Sequence, residues 1–157
     1  MSQSSNDPLH SSPVHLLHRA GQFAGDVFVA EMGDEGLTPR QYAVLIGVSE
    51  SEGLSQTDLV NRTGVDRSTL ADIVRRMIKK GLVQRQRTKR DARAYSVRLT
   101  ERGRKALDSA RPAAQLADER LLSTLSPKQR QAFVDTLSTL IRAIGEQPPA
   151  RSGGRDD

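Results

Sequence analysis

At 157 residues, with no Cys, no Trp and five aromatic side chains, the chain suits one domain with helical extensions rather than a large self-contained core. The absence of Cys excludes a disulfide scaffold, a thiolate metal site and a thiol redox switch. With a formal charge of +5, a polar N-terminus unlike a signal peptide and no apolar run of membrane-spanning length, it reads as a basic cytoplasmic protein with no membrane partner.

The charge is unevenly placed. Residues 62–111 hold 16 Lys and Arg against five acids, while the rest of the chain holds eight against 14. A basic block within an otherwise acidic chain is the footprint of a surface that meets a polyanion. Nucleic acid fits better than a membrane, because the block lacks the apolar face of an interfacial helix.

In chain order, residues 1–12 are rich in Ser, Asn and Pro and read as a disordered tail. A first helix opens at Pro13, with Val14, Leu17, Gly21, Ala24 and Phe28 at helical spacing and Leu16, Phe23 and Val27 beside them. Residues 33–36 end it. Thr38-Pro39-Arg40-Gln41 is a capping box with Pro at the first helical position, starting a helix to about Ser49 that buries Tyr42, Leu45 and Ile46. Ser55-Gln56-Thr57-Asp58 starts a short helix through Asn61. After the turn Thr63-Gly64-Val65, Asp66 caps a helix over 67–80 whose Leu70, Ile73, Val74, Met77 and Ile78 form one stripe, ended by Gly81.

The period then changes. Residues 82–87 and 94–99 alternate, with Tyr95, Val97 and Leu99 on one face, and a polar connection over 88–93 makes them a two-stranded hairpin. Thr100 caps a helix of roughly 25 residues that Pro112 should interrupt and kink. Ser126-Pro127-Lys128-Gln129 repeats the capping signal before a last helix striped with Phe133, Leu137, Leu140, Ile141 and Ile144. Residues 146–157 read as a second disordered tail.

Two short helices joined by a Gly-containing turn, then a basic hairpin, form the pattern of a helix-turn-helix with a wing. The outward face of the second helix carries Arg67, Ser68, Thr69, Ala71, Asp72, Arg75, Arg76 and Lys79. Its small hydroxyl residues allow close approach to base edges, and its arginines suit phosphate or guanine. Arg85, Arg87, Lys89, Arg90 and Arg93 lie on the hairpin, and Ser55 and Gln56 open the first short helix. Duplex DNA is the expected partner.

The run over 54–103 resembles the MarR family of bacterial winged-helix regulators, most closely at Gly81-Leu82-Val83, Asp91-Ala92-Arg93 and Leu99-Thr100-Glu101-Arg102-Gly103. Leu37-Thr38-Pro39-Arg40-Gln41-Tyr42 is similar to the opening of that family's second helix. The resemblance implies a mainly α fold with a small β-hairpin wing. Residues 37–99 would form the DNA-binding domain, and 13–36 with 100–145 the helical dimerisation region. It also implies a homodimer on a pseudo-palindromic site, with recognition helices one DNA turn, about 34 Å, apart. Asp91 would hold Arg93 for the minor groove, with Arg90 as the alternative, since Ala92 stands where many relatives have a second Arg.

Members of that family usually answer to a small molecule, which implies an effector such as an aromatic acid or an aryl-CoA thioester. The candidates to line its cleft are His15, His18, Arg19, Phe23 and Phe28 from the first helix and Arg40, Tyr42 and Leu45 from the second, with packing as the alternative role of the aromatics and Leu45. His10, His15 and His18 are the chain's three His, and His15 and His18 share a helix face, but with no further Cys or His a metal site would need carboxylates or a partner subunit for its remaining ligands, so no metal is expected. No nucleophile elbow, phosphate loop or catalytic triad is present, so neither enzyme nor cofactor is expected. The competing readings are a ligand-independent regulator and a winged module used for protein contact.

Overall fold

In the computed structural model, which describes residues 7–34, 36–51, 53–88 and 95–145, short-range capping decides where the helices begin. Asp7 caps one exposed turn, α1 (Pro8–Ser11), accepting a hydrogen bond from the Leu9 amide; these four residues are helical where a disordered tail is expected. α2 (Pro13–Met32) follows directly, capped by Ser12. α3 (Pro39–Glu50) starts on a reciprocal pair, the Gln41 amide donating to Thr38 Oγ1 at 3.2 Å and the Thr38 amide to Gln41 Oε1 at 3.1 Å. Ser55 and Asp58 do the same for α4 (Gln56–Thr63), which runs past the expected end at Asn61. Gly64, at φ +69°, occupies the left-handed region that strains a side chain, and so turns the chain sharply into α5 (Arg67–Lys79).

The wing is built from three strands rather than two. β1 (Leu54–Ser55), β2 (Val83–Arg87) and β3 (Tyr95–Leu99) form an antiparallel sheet in the order β1-β3-β2, with Leu54 and Arg85 both opposite Val97. β1 is too short to show any alternation in sequence, which is why the hairpin reads as complete without it. Its presence makes β3 the central strand. Val97 is fully buried, but Ser96 on the opposite face is buried too, its hydroxyl donating to the Gln86 carbonyl at 3.3 Å. Tyr95, expected on one face with Val97 and Leu99, is exposed where Val97 is fully buried.

Val44, Leu45 and Val48 of α3, Leu59 of α4, Leu70, Val74 and Met77 of α5, and Val97 of β3 form a core that α6 (Glu101–Leu121) closes with Leu107. α6 continues through Pro112 instead of breaking there. Pro112 and Asp108 one turn earlier are both exposed, so the helix loses one N–H donor at its solvent-facing side. α2 lies along α6, joined by Arg120 Nη1 and Glu31 Oε1 at 3.2 Å. Yet α2 buries none of its own residues.

A second compact unit begins at Leu122 and contains α7 (Pro127–Gly145). Its start is capped by Ser126, whose Oγ accepts from the Gln129 amide at 3.3 Å, and Arg130 Nε donates to the Leu125 carbonyl at 2.9 Å. No residue of α7 is buried, and Phe133, Val134, Leu140, Ile141 and Ile144 are exposed. Among the described residues no helix is long and apolar enough to cross a membrane.

Candidate nucleic-acid interface

The α4–turn–α5 unit presents α5 as an amphipathic rod. Leu70, Ile73, Val74 and Met77 face the core, while Arg67, Ser68, Arg75, Arg76 and Lys79 are exposed, with Thr69, Ala71 and Asp72 half-buried between the faces. Asp66 organises the leading end. One oxygen of its carboxylate accepts from the Thr69 amide at 2.9 Å and from Ser68 Oγ at 2.9 Å. These bonds from Thr69 and Ser68 lower its pKa to about 2, so the cap stays anionic across the physiological range. Ser68 thereby spends its proton on Asp66 and faces outward as an acceptor, suited to a base amino group.

Asp72 does not stand as an independent contact. Its two oxygens hold Arg75 Nη1 at 3.2 Å and Arg76 Nε at 3.0 Å, so one carboxylate fixes two exposed guanidinium groups on the outer face. Arg85 and Arg87 are exposed on the same face of β2, two residues apart, and the Arg87 guanidinium lies 5.9 Å from the centre of the Tyr95 ring. Ser55 and Gln56 are half-buried; the Ser55 hydroxyl donates to Asp58 Oδ2 at 2.7 Å, which with the Ser55 amide lowers the Asp58 pKa. Lys89, Arg90, Asp91 and Arg93 lie outside the described residues.

One cation of the basic block is engaged within the fold. Arg62 forms an ion pair with Glu50 and ties α4 to α3. Arg98 is half-buried on β3, its guanidinium 3.9 Å from where a Cβ on Gly53 would lie.

The eight residues expected around an effector do not converge. Leu45 is fully buried in the core and reaches no cleft. Arg40 lines a small cavity of about 300 Å³ at the helix-turn-helix elbow, with Ala43, Thr63, Val65 and Asp66. Phe28 of α2 and Tyr42 of α3 are in ring contact, centroids 5.6 Å apart at 55°. Farther along α2, Arg19 sits 5.7 Å over the exposed Phe23 ring, near exposed His18 and half-buried His15. A cavity of about 670 Å³ elsewhere in the molecule is lined by none of the eight. Among the described residues no three His, Asp or Glu gather as a metal site would require.

The MarR family pattern matches residues 35–94. The HTH-type transcriptional repressor NicR of Pseudomonas putida is 31% identical over 144 residues, 87% of this chain and 91% of NicR. The structure of BpsR from Bordetella bronchiseptica, whose DNA binding is regulated by 6-hydroxynicotinic acid, is 28% identical and superposes with a TM-score of 0.76, covering 81% of this chain and 96% of BpsR. The transcriptional repressor CouR, bound to a 23-mer DNA duplex, is 26% identical with a TM-score of 0.81, over 89% and 99% of the two chains.

Proposed function

The chain belongs to the MarR family of winged helix-turn-helix transcriptional regulators, DNA-binding proteins rather than enzymes, and from that premise we propose a homodimeric repressor released from its operator by a small aromatic acid. The observation that carries the DNA half of this reading is the outer face of α5. Arg67 and Ser68 stand at its leading end for base edges, and Arg75 and Arg76 are pre-set by Asp72 for phosphates. The β2 arginines, and Arg90 or Arg93 beyond them, extend the contact into the adjoining groove.

Dimerisation is supported by unclaimed apolar surface. Val14, Leu16, Leu17, Phe23 and Val29 on α2, and separately the apolar side of α7, are exposed in the single chain. A second copy gives both faces a buried home and supplies the second recognition helix that a pseudo-palindrome needs. The effector class rests on the exposed cation and aromatics of α2 and on relatives such as BpsR. Arg19 is the candidate carboxylate partner, beside Phe23, His15 and His18, with the Phe28–Tyr42 ring pair as a second aromatic surface farther along α2.

The test is selection of bound genomic fragments, then fluorescence anisotropy on the enriched duplex with and without hydroxylated aromatic acids, 6-hydroxynicotinic acid among them. Saturable binding that prefers the enriched duplex, falls steeply with salt and is reversed by one of the acids is the expected result. Equal affinity for a scrambled duplex would remove the sequence-reading role of α5.

A further inference from the structure

We propose that Ser68 reads the DNA major groove in one polarity only: held by Asp66, its hydroxyl accepts from an exocyclic base amino group, adenine N6 or cytosine N4, and rejects a keto oxygen at the same place. The proposal rests on the operator-reading role of α5 and adds which base edge one side chain of that helix requires.

A serine hydroxyl has one proton and two lone pairs, so a freely rotating one donates to a keto oxygen as readily as it accepts from an amino group. Ser68 is not freely rotating. Its Oγ lies 2.9 Å from Asp66 Oδ1, and an ionised carboxylate only accepts, so the proton in that bond is the serine's. The same carboxylate oxygen takes the Thr69 amide at 2.9 Å, which fixes it against the first turn of α5. The lowered pKa of Asp66 keeps it ionised across the physiological range. A hydrogen bond to a charged acceptor is roughly twice as strong as one to a neutral carbonyl, so a keto oxygen competes poorly for the proton.

The rest of the outer face makes this acceptor distinctive. Exposed Arg67, Arg75, Arg76 and Lys79 can only donate, and half-buried Asp72 spends its oxygens on Arg75 and Arg76. Ser68 is therefore the exposed side chain of α5 with lone pairs to offer, and its short stem lets a base edge come close. In the major groove, replacing adenine by guanine, or cytosine by thymine, puts a keto oxygen where the amino group stood. One acceptor of fixed polarity separates those bases at a single base pair.

Base analogues in the enriched duplex, titrated by fluorescence anisotropy with the full chain, test it. One position at a time, purine for adenine or 2-pyrimidinone for cytosine deletes the amino group, and which analogue is felt tells the two bases apart. Hypoxanthine or uracil, with its matching partner base, then puts a keto oxygen there. At one position per half-site, deletion is expected to cost the parent about fivefold and the keto oxygen about tenfold or more. Ser68→Ala, starting from a lower affinity, should lose less than about twofold on either change. Asp66→Gly keeps a residue tolerated at an N-cap and releases the Ser68 proton, so it should bind the keto and amino duplexes within about twofold of each other. Should Asp66→Gly fail to fold by circular dichroism, the parent and Ser68→Ala titrations decide. A parent that binds the enriched and scrambled duplexes alike would overturn the operator reading and the proposal with it. A parent that prefers the enriched duplex but shows no Ser68-dependent position, or tolerates a keto oxygen at that position, would overturn the proposal alone, as would keto discrimination retained by a folded Asp66→Gly.

Discussion

Gly103 and Leu82 meet so closely that a Cβ on Gly103 would lie 1.9 Å from the Leu82 carbonyl oxygen. α6 thus begins against the backbone that leads into β2, with Thr100 Oγ1 accepting from the Gly103 amide at 2.9 Å and the same hydroxyl reaching back to the Gly81 and Leu82 carbonyls. The clash is with main chain, which cannot swing aside as a side chain would. Gly103→Ala is therefore expected to destabilise the fold by about 3 kcal/mol despite adding one methyl. Thermal or urea unfolding checks it. A melting temperature equal to that of the parent would mean the joint yields at little cost.

Asp66 gives the fold a definable acid limit. Its folded pKa is about 2, below the ordinary 3.8, because Thr69 and Ser68 donate to the carboxylate. A depressed folded pKa contributes stability above the unfolded value and loses it as pH falls through the folded one. Asp66→Asn keeps a capping oxygen but removes that titration. The parent is expected to melt above Asp66→Asn at neutral pH, with the gap closing between about pH 4 and pH 2. A gap independent of pH over that window would show that the charge is not what the cap uses.

How much of this was legible in the sequence depended on reach. The pairs Thr38–Gln41, Ser55–Asp58 and Ser126–Gln129 are three residues apart, and each forms the cap its spacing implies. The α5 stripe is equally local. β1 escaped because two residues carry no period, and its pairing with β3 then placed Ser96 indoors against a simple alternation. Leu45 lies on the stripe read as buried in α3, and that packing removes it from any ligand cleft. The cavity of about 670 Å³ joins Met32, Leu37, Lys80 and Arg102, segments no linear spacing connects, so only the fold assembles it.

Asp72 separates affinity from discrimination. Its carboxylate opposes phosphates but orients both Arg75 and Arg76, and exposed ion pairs of this kind are worth about 1 kcal/mol or less in stability. Asp72→Ala should therefore fold as the parent does. Removing the acid is expected to strengthen binding to a random duplex, while freeing two arginines lowers preference for the selected one, shrinking the ratio about fivefold. Parallel anisotropy titrations on the two duplexes read this directly. A ratio that holds while both affinities shift together would limit Asp72 to bulk electrostatics.

Arg93 and Arg67 are expected to fail differently. If Arg93 enters the minor groove from the wing, Arg93→Ala weakens operator binding about tenfold without moving the melting temperature or the dimer. Arg67 stands exposed at the leading end of α5, and its replacement by Ala is expected to relax preference at particular base pairs. Selection from a randomised duplex pool measures both. A uniform loss across all sequences on Arg67→Ala would confine that residue to phosphate, and an unchanged affinity on Arg93→Ala would transfer the wing contact to Arg90.

The apolar side of α7 supplies the sharpest test of the dimer. Ile141 is 68% exposed in the single chain and Ile144 59%, an arrangement costly to leave in water. Covering one such side chain is worth about 2 kcal/mol, and a two-fold interface counts it twice. Ile141→Glu replaces that gain with a carboxylate that must be desolvated at the same place. The variant is expected to run as a monomer in light scattering and to lose most of its operator affinity, because a single winged domain reads only half of a pseudo-palindrome. Since Ile141 is not among the residues that form the winged-domain core, the monomer should keep its helical circular dichroism. A variant that stays dimeric with intact DNA binding would take this face of α7 out of the subunit contact.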